Sequence, residues 1–216
     1  MKNVEILYED EHIIIVNKPA GLAVQGGKNI KTSLDKLLAK ERSPAPLLVH
    51  RLDKDTSGAL LAAKGREEAA RFSAIIGSRR AVKKYVAICA GSLKKNEGVI
   101  KDELLIRGSV KKSETKYKVI KSTSILETAE TNVEYTAVEL ELGTGRMHQI
   151  RRHLAMNGNP IFGDDKYGDF QLNKKLNKSV KLKRLLLHAS RLLITEAGID
   201  IYAPFPVDFN QYFLQN

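Results

Sequence analysis

Apolar and polar residues alternate in short bursts along the chain, and the period lengthens to helical spacing in only a few places. Residues 4–9 and 12–16 are β-branched runs separated by Asp10-Glu11, which predicts a hairpin. Lys18-Pro19-Ala20-Gly21 reads as a turn, and Gly26-Gly27 continues the loop. Leu34, Leu37 and Leu38 then fall at helical spacing, so a helix is expected at about 32–41 with Thr32 as its N-cap. Ser43-Pro44-Ala45-Pro46 ends it. Residues 47–50 and 59–63 read as buried strands on either side of a polar loop, 50–58. Residues 67–76 form a helical pattern that stops at Gly77. Residues 84–90, 99–106, 115–120 and 133–142 supply further strands. A helix is expected over 145–157, closed by Asn157-Gly158. The basic stretch 170–184 reads as a surface loop or excursion, and 185–194 and 198–202 return to strand. Helices and strands mix without regular βαβ alternation. The expected fold is therefore α+β, with a mixed, largely antiparallel β-sheet and flanking helices and loops. No repeat or Pro/Gly/Ser-rich boundary divides the sequence, so residues 1–216 are read as a single domain.

Composition narrows the class. Of the 216 residues, 43% are hydrophobic, enough to bury a core, so disorder is excluded as the main state. No run approaches the roughly 20 apolar residues of a membrane span. The opening MKNVEILYEDEH lacks the apolar region of a secretory signal. Cys89 is the lone cysteine, so neither an intrachain disulfide nor a cysteine-rich metal site can form, which fits a reducing cytoplasm. It reads as a small buried apolar filler.

Charge adds a partner class. The net charge is +11, and a surplus of that size attracts polyanions. Composition alone slightly favours a basic protein with well-solvated lysines. The distribution shifts the balance, because the cations cluster: Arg79, Arg80, Lys83 and Lys84; then Lys111, Lys112, Lys116, Lys118 and Lys121; then Lys174, Lys175, Lys178, Lys181, Lys183 and Arg184, with no acid between Asp169 and Glu196. No basic amphipathic membrane helix or lipidation signal accompanies them, which favours nucleic acid over a membrane.

Three polar islands interrupt the apolar pattern. The first is His50-Arg51-Leu52-Asp53-Lys54-Asp55-Thr56-Ser57-Gly58, a polar loop between two apolar strands. On pattern alone it is a charged surface turn. Its company suggests more, since a carboxylate flanked by Arg51 and Lys54 stays ionised, as a nucleophile must. The second runs from Gly143-Thr144-Gly145-Arg146 through His148-Gln149-Ile150-Arg151-Arg152-His153. On a helix, His148 would share a face with Arg151 and Arg152, and an opening at Thr144-Gly145 would offer free N–H groups to an anion. His148 and His153 lie on different faces with no cysteine nearby, which makes zinc improbable. The third is Gly163-Asp164-Asp165-Lys166-Tyr167-Gly168, better read as a self-bonded turn than as a Mg²⁺ site.

Together the islands resemble the RluA family of pseudouridine synthases. His50-Arg51-Leu52-Asp53 with Thr56-Ser57-Gly58 is similar to the family's signature. Asn17-Lys18-Pro19-Ala20-Gly21 is similar to its first motif, and Lys84-Tyr85-Val86-Ala87-Ile88 to its tyrosine motif. Thr144-Gly145-Arg146 through His148-Gln149-Ile150-Arg151, continuing to Tyr167-Gly168, is similar to its third. The motifs occur in family order over about residues 12–170, and the subgroup acting on large-subunit ribosomal RNA is the most similar. The resemblance implies isomerisation of uridine to pseudouridine, most of all in 23S ribosomal RNA. It implies Asp53 as the catalytic carboxylate, Tyr85 stacking on the uracil and helping to remove the C5 proton, and Arg151 pairing with Asp53. Arg51 would help displace the target nucleotide, and Arg146 and His148 would contact substrate. His50 and His148 read better as hydrogen-bonding scaffold than as acid–base groups. Neither metal nor organic cofactor is implied. The expected partner is RNA, acted on by a cytoplasmic monomer with no membrane attachment.

Gln25, Met147 and Arg152 depart from the residues common in the family, which bears on substrate preference rather than chemistry. Many relatives carry an N-terminal S4-type domain. With the first motif starting near residue 12, none is expected here. Three alternatives remain open at this point: the same chemistry on transfer RNA, a non-catalytic RNA-binding or ribosome-assembly protein, and a Mg²⁺-dependent nuclease built on Asp53, Asp55, Asp164 and Asp165.

Overall fold

The computed structural model describes residues 4–28, 30–106, 108–127 and 132–213. In chain order the elements are β1 (Glu5–Glu9), β2 (Ile13–Lys18), α1 (Leu34–Glu41), β3 (Leu47–Leu48), β4 (Ser57–Ala63), α2 (Arg66–Gly77), β5 (Val82–Ala90), β6 (Glu97–Ile106), β7 (Ser109–Glu127), β8 (Asn132–Leu142), α3 (Gln149–Met156), α4 (Phe170–Val180), β9 (Leu187–Ile194), a 3-10 turn (Thr195–Ala197), β10 (Ile199–Tyr202) and α5 (Val207–Phe213). The α+β expectation holds, and the strand pairings described below are antiparallel. By internal contacts the chain divides into two compact units, Met1–Lys83 with Ala189–Pro204, and Lys84–His188 with Phe205–Asn216.

In the first unit β1 pairs with β2 as the hairpin pattern predicts, and β2 pairs with β4 from Ile13↔Ala63 to Lys18↔Gly58. Every residue of β4 is buried, and all of β2 except Asn17 is buried, so both strands read as apolar runs rather than alternating ones. Ile13, Ile15, Ala59 and Leu61 pack with Phe72 and Ile75 of α2 and with Leu192, Ile194 and Ile199. The i, i+3 spacing of Phe72 and Ile75 puts both on one helical face.

Three boundaries differ from expectation. The N-cap of α1 is Ser33, not Thr32, because the N–H groups of Leu34 and Asp35 donate to the carbonyls of Ala23 and Val24, so the preceding loop fixes where the helix begins. The strand expected over 47–50 shrinks to the two residues of β3, with Leu47 exposed. Gly77 is the last residue of α2 and Ser78 its C-cap.

Gly58 has φ +114°, and a Cβ there would lie 2.2 Å from the Ala189 carbonyl oxygen. Replacing it with alanine combines a left-handed backbone penalty with a backbone clash. It should cost at least about 2 kcal/mol. Thermal unfolding reads this directly, and an unchanged midpoint would show that the strand can shift without cost.

In the second unit the strand order is β5-β8-β7-β6. The strand expected at 115–120 is one part of the 19-residue β7, which pairs first with β6 and then with β8. Its lysines hid its length. Lys111, Lys112, Lys116 and Lys118 interrupt the apolar pattern, while Ser113 and Thr115 are buried. The core of this unit includes Tyr135, Phe162 and Tyr212, whose ring centroids lie 5.4–6.3 Å apart.

Two helix expectations are corrected here. The helix expected from 145 begins at Gln149, and His148 is its N-cap in the left-handed region at φ +53°. The Gln149 side chain explains this. Its Oε1 accepts from the Arg146 N–H and the Thr144 hydroxyl, and its Nε2 donates to the Glu114 carbonyl and Thr115 Oγ1. These bonds hold residues 144–148 as a loop against β7. His148 therefore does not share a helical face with Arg151 and Arg152, and no helix opens at Thr144-Gly145 to receive an anion. The basic stretch read as a loop contains α4 instead. The Asp169 carboxylate caps it by accepting the Leu172 N–H at 2.9 Å, and Leu176 on its inner face is fully buried. The helix α5, not anticipated from sequence, buries Phe209 and Tyr212.

Candidate active site

In the first unit the polar island is a loop tied down from several sides. The Asp53 carbonyl accepts the Thr56 N–H, closing a turn, and Thr56 and Ser57 are buried where β4 begins. Lys18, wholly buried at the end of β2, donates from Nζ to the carbonyls of Pro19 (3.0 Å), Leu22 (2.8 Å) and Lys54 (2.8 Å). The Gly21 N–H donates to the same Lys54 carbonyl at 2.9 Å. One ammonium thus fastens the Asn17–Gly21 turn to the residue after Asp53, and each carbonyl offsets part of its desolvation. The Asp53 side chain is half-buried and that of Arg51 is exposed.

His50 accepts the Leu61 N–H on Nε2 at 3.0 Å. Burial, aided by the charge of Lys83, pushes its pKa down to about 3. A ring held neutral as an acceptor across the whole working pH range fits the scaffold reading.

In the second unit Tyr85 sits on β5, buried, opposite Leu140 of β8. Arg151 on α3 is also buried. Its Nε and Nη2 donate to the two oxygens of Asp164, each at 2.7 Å, and Nη2 donates to Asp165 at 2.8 Å. The paired bonds fix the plane of the guanidinium. Asp164 is fixed in turn by the N–H groups of Lys166 and Tyr167, both at 2.9 Å. Burial alone would raise the Asp164 pKa. The Arg151 guanidinium and those two amides outweigh it and hold the carboxyl below its ordinary range.

The turn predicted for Gly163–Gly168 is therefore present and also carries the buried partner of Arg151. Sequence reasoning missed that role. The signal available was an acidic pair 13 and 14 residues after Arg151, a spacing that no local rule joins to an arginine. Tyr167 completes the cluster. The Arg151 guanidinium lies 5.4 Å from its ring centroid, and its hydroxyl is 3.1 Å from His148 Nδ1. The structure thus brings His148 near Arg151 through Tyr167. Arg146 is exposed.

The helix carrying Arg151 is pinned from below by His153. Its Nε2 lies 2.7 Å from the Ser113 hydroxyl, which itself donates to the Asp102 carbonyl. Nε2 therefore bears the proton, and burial pushes the imidazole pKa down, keeping it neutral. Cys89 is fully buried, its pKa pushed up to about 12 by burial, an inert thiol as expected.

Among the described residues no three His, Cys, Asp or Glu side chains gather in a way that would hold a metal ion. Both Asp164 oxygens are occupied by N–H donors, which leaves this carboxylate poorly placed to ligate one.

Comparison with known proteins assigns the chemistry. A family model described as RNA pseudouridylate synthase matches residues 12–156. The ribosomal large subunit pseudouridine synthase C of Buchnera aphidicola subsp. Schizaphis graminum is 36% identical over 225 residues, covering 96% of this chain and 69% of that protein. The protein of the same name from Rickettsia prowazekii is 37% identical, covering 95% and 69%. Among solved structures, human RNA pseudouridylate synthase domain containing 4 aligns with TM-score 0.77 at 25% identity over 98% of this chain and 94% of its own. Human RNA pseudouridylate synthase domain containing 1 aligns with TM-score 0.76 at 26% identity over 96% and 85%. No helix among the described residues is long and apolar enough to cross a membrane. The family model spans well over half of the chain and the relatives nearly all of it, so the chain belongs to the RNA pseudouridylate synthase family and isomerises uridine in RNA to pseudouridine.

Proposed function

We propose that the RNA is the 23S RNA of the large ribosomal subunit, that residues 1–216 act as one catalytic domain, and that Asp53, Tyr85 and Arg151 carry the reaction. The ribosomal reading is supported by the relatives above, whose names specify the large subunit. For the site, the supporting observation is the buried Arg151, whose guanidinium is held in one plane by a carboxylate that is itself fixed by backbone amides. A guanidinium fixed in one plane in this way is suited to recognising a further carboxylate by hydrogen bonds of set direction, and pairing with Asp53 is the role proposed for it.

The chemistry asks for little more. The bond between N1 of uracil and C1′ of the ribose breaks, the base turns, and C5 bonds to the same carbon. C5 then loses its proton and N1 gains one. The base leaves as a delocalised anion, so a second carboxylate acting as strong acid is not required, unlike ordinary glycoside hydrolysis. Because the detached base is the next nucleophile, water must be kept out. Tyr85 would hold the extruded uracil by stacking, contributing about 1–3 kcal/mol. Arg51, Arg146 and His148 would contact the nucleotide and its neighbours, and the exposure of both arginines suits contact with an RNA backbone. Extruding a base costs least where it is unpaired, which favours a loop or strained helix as the target.

The direct test is tritium release from RNA labelled at uracil C5. A large-subunit RNA transcript should lose label in the presence of the protein. Release from transfer RNA but not from that transcript would overturn the ribosomal reading. Tyr85→Phe keeps the stacking face and removes the hydroxyl. If that hydroxyl helps remove the C5 proton, turnover should fall by about 10²-fold with RNA affinity retained. Unchanged turnover would leave Tyr85 as a stacking platform only.

A further inference from the structure

We propose that the outer face of α4 is a docking surface for phosphates of the RNA substrate away from the reacting uridine. The inference rests on the RNA activity given above and adds a specific surface to it. Lys174 and Lys178 stand at i and i+4 on the helix and so form one outward stripe, with Lys175 beside it. Leu172 and Leu176, with Val180, occupy the opposite face, where Leu176 is fully buried. Lys181 follows as the C-cap in the left-handed region, and Lys183 lies just beyond. All five lysines are exposed.

The structure also separates these lysines from the neighbouring arginine that sequence grouped with them. Arg184 is a bidentate partner of Asp208 and lies 5.3 Å from the Phe209 ring centroid, which commits it to holding α5. The nearest acid on the N-terminal side, Asp169, is the helix cap. No other Asp or Glu occurs before Glu196. Lys174 and Lys178 are thus a like-charged i, i+4 pair with no acid on their own element to offset the repulsion. A polyanion laid along the stripe relieves it.

The occupant follows from the other face. Interfacial membrane helices insert an apolar side into the lipid, and on the apolar side of α4 Leu176 is fully buried and Leu172 and Val180 are half-buried against the protein. What faces water is Lys174, Lys175 and Lys178 among the uncharged Gln171, Asn177 and Ser179, with one exposed apolar side chain, Phe170, at the first helical position. A single ring is too little for a lipid-inserting face, whereas the lysines suit a phosphate backbone and carry no sequence readout of their own.

The test is the triple variant Lys174→Ala, Lys175→Ala, Lys178→Ala. Alanine is the strongest helix former, so the variant keeps α4, and circular dichroism checks this. Binding to a large-subunit RNA transcript is measured by filter retention at a series of salt concentrations between about 50 and 200 mM. The slope of log affinity against log salt should be shallower by about 3 in the variant, one per lysine. Tritium release should show a KM raised by about 10-fold or more with kcat retained, because the lost contacts are made equally before and during the reaction. An unchanged slope with tritium release intact would overturn the docking surface alone. A changed slope with no tritium release from either protein would keep the surface and overturn the catalytic reading. Loss of binding to phosphatidylserine vesicles with RNA binding unchanged would show the surface to be a membrane contact and overturn the proposal.

Discussion

Replacing Asp53 by Asn should abolish tritium release from C5-labelled RNA, with turnover falling by at least about 10³-fold. Asparagine keeps the size and planar shape of the side chain but cannot carry the negative charge that every proposed route needs, whether Asp53 attacks the sugar, adds to the ring or removes a sugar proton. The loop has anchors in its backbone. Lys18 holds the Lys54 carbonyl, and the Asp53 carbonyl accepts the Thr56 N–H. The variant should therefore fold, and its thermal midpoint should lie close to that of the parent. RNA binding should persist as well, since the basic surfaces are untouched. A variant that binds RNA and releases tritium at the parental rate would remove Asp53 from the reaction.

Replacing Asp164 by Ala should strongly destabilise the protein. It strips a buried guanidinium of its bidentate partner, and the neighbouring Asp165 that it also contacts is mostly exposed. Breaking a buried pair from one side costs about 3–5 kcal/mol. In a chain of this size that lowers the thermal midpoint by about 6–20 °C. The contribution should also depend on pH with a definite sign. The folded carboxyl titrates below its ordinary value of 3.8, so the ion pair stabilises fully above that value. It is lost as pH falls through the lower folded value. The stability gap between the parent and Asp164→Asn should accordingly be full at neutral pH and close in acid below about pH 4. A gap that widened in acid would mean the carboxyl is protonated in the folded protein. If Arg151 works as proposed, Asp164→Asn assayed well below its midpoint should also turn over more slowly, with RNA affinity little changed.

Much of the architecture was legible along the chain because it depends on local patterning. The β1–β2 hairpin, the helix α2 and the strands β5, β6 and β8 follow from period and from turn residues at their ends. The polar loop at His50–Gly58 stood out because charged residues interrupt two apolar strands. Errors arose where a distant residue decided the matter. The start of α3 depends on Gln149 bonding to β7 more than thirty residues earlier. The helix α4 was hidden because lysines dominate its composition, while the buried Leu176 that holds it in place shows only once the chain is folded.

The sequence by itself determined the class of fold, the cationic surplus, the inert cysteine and the residues that resemble a pseudouridine synthase, since all of these reside in residue identity and spacing. Tertiary structure alone decided which charges are committed and which are available. Asp164 and Asp208 hold Arg151 and Arg184, while the lysines of α4 stay in water. The physical reason is that pairing and desolvation depend on distance in space, and a chain of letters states distance only along itself.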